Sequence, residues 1–291
     1  MRGARPAAAV LIEDADLVVQ GATATLADAR AIALLAQATG IEPIEASATP
    51  AFRLRGPRSR ERLDEAAAAR RVDCALVPHA RRLADVRVVA MDMDSTLITI
   101  ECIDEIADLL GIKPQVALIT ESAMRGEVDF RESLAKRVAL LKGLPVEALQ
   151  RVYDERLRLS PGAEQMLERF HAAGAHSLLV SGGFTFFTDR LKARVGLRHA
   201  VSNVLEVDGG RLTGRVAGDI VDADAKAQAL RDLRASLPAG LAVAIGDGAN
   251  DLPLFRAADV SIAYRAKPVV REKATHALDH SGLDAVVNLF A

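Results

Sequence analysis

With 291 residues, 50% of them hydrophobic and 26% charged, the chain is long enough for one large or two ordinary globular domains. A formal net charge of -2 gives no electrostatic case for a nucleic-acid or membrane partner. Aromatic residues make up 3% and Trp is absent, which argues against recognition by stacked rings. Two cysteines, Cys74 and Cys102, form neither a disulfide framework nor a metal-ligand spacing, and are expected to be buried thiols of a reducing compartment. The acidic residues Glu13, Asp14 and Asp16 follow the short apolar run at the N-terminus at once, against a signal peptide. No apolar stretch reaches the length of a membrane-spanning helix, so a cytoplasmic location is expected.

In chain order, residues 1–84 read as a separate small unit. "AAAVLIEDADLVV" suits a strand, "LADARAIALLAQATG" a helix ending at Gly40, and "EPIEASAT" and "AFRLRG" two short strands. "SRERLDEAAAARRV" suits a second helix and "DCALVP" a last strand. The order βαββαβ is that of a ferredoxin-like α+β domain.

From residue 85 the pattern changes. "VRVVAMD", "HSLLVSGG", "LAVAIGDG" and "VSIAY" are apolar throughout rather than alternating, as in parallel strands covered on both faces. Helical stretches separate them, which predicts a doubly wound α/β domain over 85–291. Residues 101–158 hold no strand candidate and read as a helical insertion after the first strand. Ser160-Pro161 suits a helix start, with Ser as N-cap and Pro in the first turn. "VLEVDGGRLTGRV" reads as a hairpin turning at Asp208-Gly209-Gly210.

Ligands of such sheets sit beyond the carboxyl ends of the strands, where the unusual residues of each run fall. Asp92 and Asp94 are two apart and, on a regular strand, would share a face. Like charges so placed need a shared proton or a hard cation. "AIGDGANDLP" adds Asp247 and Asp251, so the carboxylates together point to Mg²⁺, and the absence of His and Cys argues against zinc. A phosphate ester suits such a site if donors and positive charge accompany it. Ser181, the Gly182-Gly183 backbone and Lys226 are candidates for both roles. Asp92 could then attack phosphorus while Asp94 serves as acid and base.

"DMDST" at 92–96, "SGG" at 181–183, Lys226 and "GDGAND" at 246–251 resemble the four motifs of the haloacid dehalogenase superfamily of phosphohydrolases. The insertion stands where that superfamily places its C1-type cap. "MDMDSTLITIECIDEIA", "ESAMRGEVDFRESLAKRVALLKGLP", "VSGGF" and "AIGDGANDLPLF" are similar to its phosphoserine phosphatase branch. The resemblance implies Mg²⁺-dependent hydrolysis of O-phospho-L-serine to serine and phosphate, the last step of serine synthesis, through an aspartyl-phosphate. Asp92 is the implied nucleophile and Asp94 the acid and base. The metal would be held by Asp92, the Asp94 carbonyl and Asp247, with Asp251 ordering its surroundings. Ser181, Gly182, Lys226 and Asn250 would hold the phosphoryl group. From the cap, Arg137 would pair with the substrate carboxylate and Glu101 with its ammonium, while Met124 and Phe130 close over it.

Transfer of the phosphoryl group to homoserine, hydrolysis of another small phosphate ester, and an amino-acid-sensing role remain as alternatives. By size and element order the first unit resembles the ACT-like domain found before some bacterial members. That implies serine sensing or formation of a homodimer, or else a structural appendage.

Overall fold

The computed structural model describes residues 11–124 and 127–290. Its first part follows the order βαββαβ: β1 (Ala15–Gln20), α1 (Leu26–Ala36), β2 (Gly40–Ile44), β3 (Ala51–Arg55), α2 (Leu63–Arg70) and β4 (Asp73–Pro78). The four strands form an antiparallel sheet in the order β2-β3-β1-β4. Boundaries differ from the expected ones. Among the described residues, Ile12–Asp14 form a single 3-10 turn and the first strand starts at Ala15, after Glu13 and Asp14, while residues 7–10 of the expected strand lie outside the described residues. Helix α1 begins in a capping box of Thr25 and Asp28 and ends at Gln37 in the left-handed region (φ 52°), so Gly40 opens β2 instead of closing the helix.

The second part begins with β5 (Val86–Met91) and continues into four helices: α3 (Cys102–Leu109), α4 (Lys113–Met124), α5 (Phe130–Ala139) and α6 (Val146–Arg151). After α7 (Ala163–Ala172) come β6 (His176–Phe184), α8 (Thr185–Val195), β7 (His199–Asp208), β8 (Arg211–Ala217), α9 (Ala223–Ala235) and β9 (Leu241–Gly246). The chain closes with α10 (Leu252–Ala257), β10 (Val260–Tyr264), α11 (Pro268–Arg271), β11 (His276–Leu278) and a 3-10 segment, Leu283–Phe290.

The seven strands lie in the order β11-β10-β9-β5-β6-β7-β8, all parallel except β8. Alternate residues of β5 explain the covering of both faces. Val88 and Ala90 pack with Leu230 of α9 and with Leu254 and Phe255 of α10. Val89 and Met91 pack into the core that holds α7 and the C-terminal segment. The hairpin β7–β8 turns at Gly209 and Gly210, both with positive φ, the backbone that such a two-residue turn requires.

Helix α7 corrects the expected start at Ser160-Pro161. Its N-cap is Gly162 (φ 78°), two residues later. Pro161 spends its carbonyl on Leu283 N (2.7 Å), and a Cβ on Gly162 would stand 2.1 Å from Asp284 Oδ1. Close approach of the C-terminal segment therefore sets the helix start.

The helical insertion is closed at its neck. Ile98 and Leu159 form an antiparallel bridge, Thr99 N donates to Arg158 O (3.0 Å) and Ser160 N donates to Leu97 O (2.9 Å). Its far side pairs with β8: Gly143 N donates to Leu212 O and Leu212 N to Leu144 O, both at 2.8 Å. Helix α5 is thus tied to the edge of the main sheet.

The N-terminal sheet packs α1 and α2 on one face and the second part on the other. Val18, Ala75 and Val77 join the same apolar cluster as Phe290. Two carboxylates are paired across this junction. Asp73 accepts from Asp279 N, His280 N and Ser281 Oγ, and Asp284 accepts from Thr49 N and Oγ1.

Candidate active site

Strand β5 stops at Met91, and the chain leaves it through a tight turn. Asp92 is extended (φ -71°, ψ 162°) and accepts from Met93 N at Oδ1 (2.7 Å), while Ser95 takes φ 53°. The expected side-by-side strand carboxylates are therefore replaced by a turn that gives each acid its own partners. Asp92 Oδ2 accepts from Lys226 Nζ (2.6 Å) and from Asn250 Nδ2 (3.2 Å). Asp94 Oδ1 accepts from Cys102 N at the start of α3 (3.2 Å).

Lys226 comes from the first turn of α9, whose N-cap Asp222 accepts from Ala225 N. Its ammonium also bonds Asp251 Oδ1 (2.9 Å), and both residues are almost fully buried. Burial works against the lysine's charge, but Asp92 and Asp251 outweigh it and raise the pKa. Asp251 is pushed up to about 7, by burial first and then by Asp92, with Lys226 pulling the other way. A buried cation and two buried carboxylates at these distances stabilise one another only as a set.

Asp247, after β9, accepts from Thr96 Oγ1 (3.1 Å), and burial and Asp92 raise its pKa. Carboxylate oxygens of Asp92, Asp247 and Asp251 all lie within 4.8 Å of one another. Like charges so close call for a cation, and oxygen donors alone suit a hard divalent ion. Lys226 supplies one positive charge, which leaves the set acidic. The residues present fit a divalent metal. Asp94 is outside this group by its side chain.

Asp94 is pushed well up, by burial first, then by Glu101 and Asp92. A carboxyl raised in this way holds its proton more readily than a free one, as a general acid requires. Ser181 is buried and its Oγ accepts from Gly183 N (2.9 Å). A Cβ on Gly183 would stand 2.7 Å from Met93 Cε and 3.2 Å from Asp94 Oδ2, and one on Gly182 would stand 2.9 Å from Phe130 Cζ. Only glycine lets this loop approach both acid and insertion so closely. Strand β6 runs through these glycines to Phe184, and α8 starts only then.

From the insertion, Glu101 is the N-cap residue of α3 and accepts from Ser95 Oγ (2.6 Å). Its pKa is raised by burial, with Asp247 and Asp92 contributing and the Ser95 bond opposing. Arg137 on α5 is lowered by burial, while Asp104, Glu101 and Asp94 act on it in the other direction. Phe130 opens α5 and is 37% exposed. Met124 ends α4, and its side chain lies outside the described residues. Asp92, Asp94, Ser181, Gly182, Lys226, Asp247, Asn250 and Asp251 thus converge at the carboxyl ends of β5, β6 and β9. Glu101, Phe130 and Arg137 approach them from the insertion.

Several supporting residues carry no sequence signal of their own. Asn203 of β7 donates to Gly182 O and accepts from Val221 N, both at 2.8 Å, tying the glycine loop to the approach to α9. Arg131 reaches from α5 to Asp222 (2.6 Å), the cap of the Lys226 helix. Ser95 and Thr96 lie inside the first motif, where their hydroxyl types were the available hint.

The family model of haloacid dehalogenase-like hydrolases matches residues 89–256. The chain belongs to that family. Among relatives of this haloacid dehalogenase-like hydrolase, a phosphoserine phosphatase of Polaromonas sp. is 51% identical over 215 residues, 72% of this chain and 91% of its own. The crystal structure of a probable phosphoserine phosphatase from Vibrio cholerae is 35% identical with a TM-score of 0.82, covering 97% of this chain and 88% of the other. That of a HAD-family hydrolase from Salmonella enterica serovar Typhi is 34% identical with a TM-score of 0.86, covering 95% and 98%. Coverage of that extent takes in the N-terminal sheet of this hydrolase as well as its main domain.

Proposed function

We infer that this site hydrolyses O-phospho-L-serine to serine and phosphate. The observation that carries the reading is the buried set of Asp92, Lys226 and Asp251 beneath an insertion that brings Glu101 and Arg137 toward Asp94. The phosphatase names of the relatives agree with it.

Asp92 attacks phosphorus through a carboxylate oxygen, and the bond from phosphorus to the seryl oxygen breaks. Asp94 gives its proton to that oxygen, and serine leaves. Asp94, now a base, takes a proton from the water that attacks the aspartyl-phosphate, and phosphate departs with Asp92 restored. Lys226, the Ser181 hydroxyl, the Gly182 backbone and Asn250 hold the phosphoryl oxygens, where fixed donors lower the barrier most. Mg²⁺, held by Asp92, the Asp94 carbonyl and Asp247, with Asp251 supporting, would supply positive charge to the phosphoryl oxygens. Arg137 pairs with the substrate carboxylate and Glu101 with its ammonium, and the insertion, with Met124 and Phe130, acts as a cap that excludes water.

Residues 1–84 act as an ACT-like domain that binds a small effector or a second copy of the chain. Its support is the strand order β2-β3-β1-β4. No helix among the described residues is long and apolar enough to cross a membrane. Our reading places the enzyme in the cytoplasm, where its two cysteines stay unpaired.

The test is phosphate release from O-phospho-L-serine with Mg²⁺, with and without homoserine, beside Asp92→Asn. Release to water that the variant lacks supports the reading. Release that needs homoserine turns it into phosphotransfer, and none under either condition overturns the substrate.

A further inference from the structure

Helix α5 carries a polar group for which the fold has no use. Ser133 is 1% exposed, and its Oγ has no hydrogen-bond partner. Its backbone is fully engaged: N donates to Asp129 O (2.9 Å), and O accepts from Arg137 Nε (3.3 Å). Buried hydroxyls are nearly always paired, so an orphan one turn from Arg137 asks for a partner from outside the chain.

Helix geometry places that hydroxyl. At about 100° per residue, positions 130, 133, 134 and 137 fall on one face of α5. Phe130 meets the Gly182 loop, and Arg137 lies within the field of Glu101 and Asp94. Leu134 belongs to the apolar core. Ser133 therefore stands one turn from Arg137 on the face turned to the site. The bond from Nε to the Ser133 carbonyl leaves the terminal nitrogens of the guanidinium for a ligand. A neutral hydroxyl beside a guanidinium that binds an anion is placed to donate to the same anion.

We propose that Ser133 is a substrate-binding residue whose Oγ–H donates to the substrate carboxylate held by Arg137, selecting phosphate esters that carry one. The inference rests on the reading of Arg137 as the carboxylate's partner. Serine at 133 then serves recognition rather than stability. Alanine there removes a buried unpaired hydroxyl and should fold at least as well.

The experiment compares the full-length protein with Ser133→Ala, Ser133→Thr and Arg137→Ala, each on O-phospho-L-serine and on O-phosphoethanolamine, which lacks only the carboxylate. Ser133→Ala should raise KM for phosphoserine about ten-fold at unchanged kcat, the loss expected for one bond to a charged group. On phosphoethanolamine its kcat/KM should stay within about two-fold of the parent, and its Tm should not fall. Ser133→Thr, which keeps the hydroxyl, should restore much of the affinity. A normal KM in Ser133→Ala beside a discriminating Arg137→Ala overturns the role of Ser133 alone. Equal losses on both substrates, or losses with a lowered Tm, also overturn it. An Arg137→Ala variant that fails to discriminate removes the reading of Arg137 and this inference with it.

Discussion

Lys226 Nζ stands 2.6 Å from Asp92 Oδ2, and the lysine is 1% exposed. Its second bond, to Asp251, fixes the ammonium on the acidic side of the site. Replacing Lys226 by Met keeps the side chain's length and leaves two buried carboxylates facing each other. Turnover should fall roughly 10²- to 10³-fold, the usual loss for one fixed donor to the reacting group. Without divalent ions, urea unfolding should show about 3–5 kcal/mol less stability, as expected for a buried pair losing one partner. A variant of unchanged stability would show that the lysine is not what holds Asp92 and Asp251 together.

The carboxylates of Asp92, Asp247 and Asp251 make a second prediction about metal. EDTA should stop phosphate release, and Mg²⁺ should restore it. Asp247→Asn should raise the Mg²⁺ needed for half-maximal rate by at least about 10-fold, since even outer partners of a metal matter that much. Parallel Mg²⁺ titrations of rate and of Tm check it. Equal Mg²⁺ requirements in parent and variant would remove Asp247 from the metal site.

At the junction of the two parts, Arg81 Nη1 lies 2.6 Å from His276 Nε2, so that nitrogen accepts and the imidazole is neutral. Burial first, then Arg81, lowers the His276 pKa to about 3, far below an ordinary histidine. The sign follows from proton uptake. Between the unfolded and folded pKa values the unfolded chain binds the extra proton, so stability from this group is complete above about pH 6.5 and is lost as pH falls. The contribution shrinks by about 2 kcal/mol between pH 7 and 5. His276→Gln, which keeps an acceptor and does not titrate, should show a correspondingly flatter acid slope in urea unfolding. Identical slopes would contradict a buried neutral His276.

Removing residues 1–84 should separate chemistry from stability. The site residues stay in place, but the face of the C-terminal segment that meets β1 and β4 is uncovered, including Phe290, over which Arg81 now lies. Asp73 and Thr49 also leave their partners near the C-terminus. The truncated chain should show a lower Tm and greater aggregation, with kcat near the parent value in its soluble fraction. An unchanged Tm would mean that the junction contributes little.

Much of the site was legible because its chemistry is local. Asp92 and Asp247 each follow an apolar strand, Ser181 follows the apolar stretch within β6, and strand ends in a parallel sheet converge on one edge. The βαββαβ order of the first part was legible from hydrophobic periodicity, although β1 began later than expected. Other features were hidden because they depend on distant segments. Gly162 caps α7 because Asp284 crowds it, and no property of Ser160-Pro161 announces that contact.

By itself, then, the sequence determined the strand ends, the acids and lysine they carry, and the helical stretch inserted after the first strand. These follow from local residue patterns and from chain order. Tertiary structure alone decided that Asp92 and Asp94 leave the strand with separate partners, and that Lys226 bridges Asp92 and Asp251. It also tied α5 to β8, with Ser133 buried and unpaired on the face it shares with Phe130 and Arg137. Each of these depends on distances between residues far apart in the chain, and burial gives those distances their energetic weight.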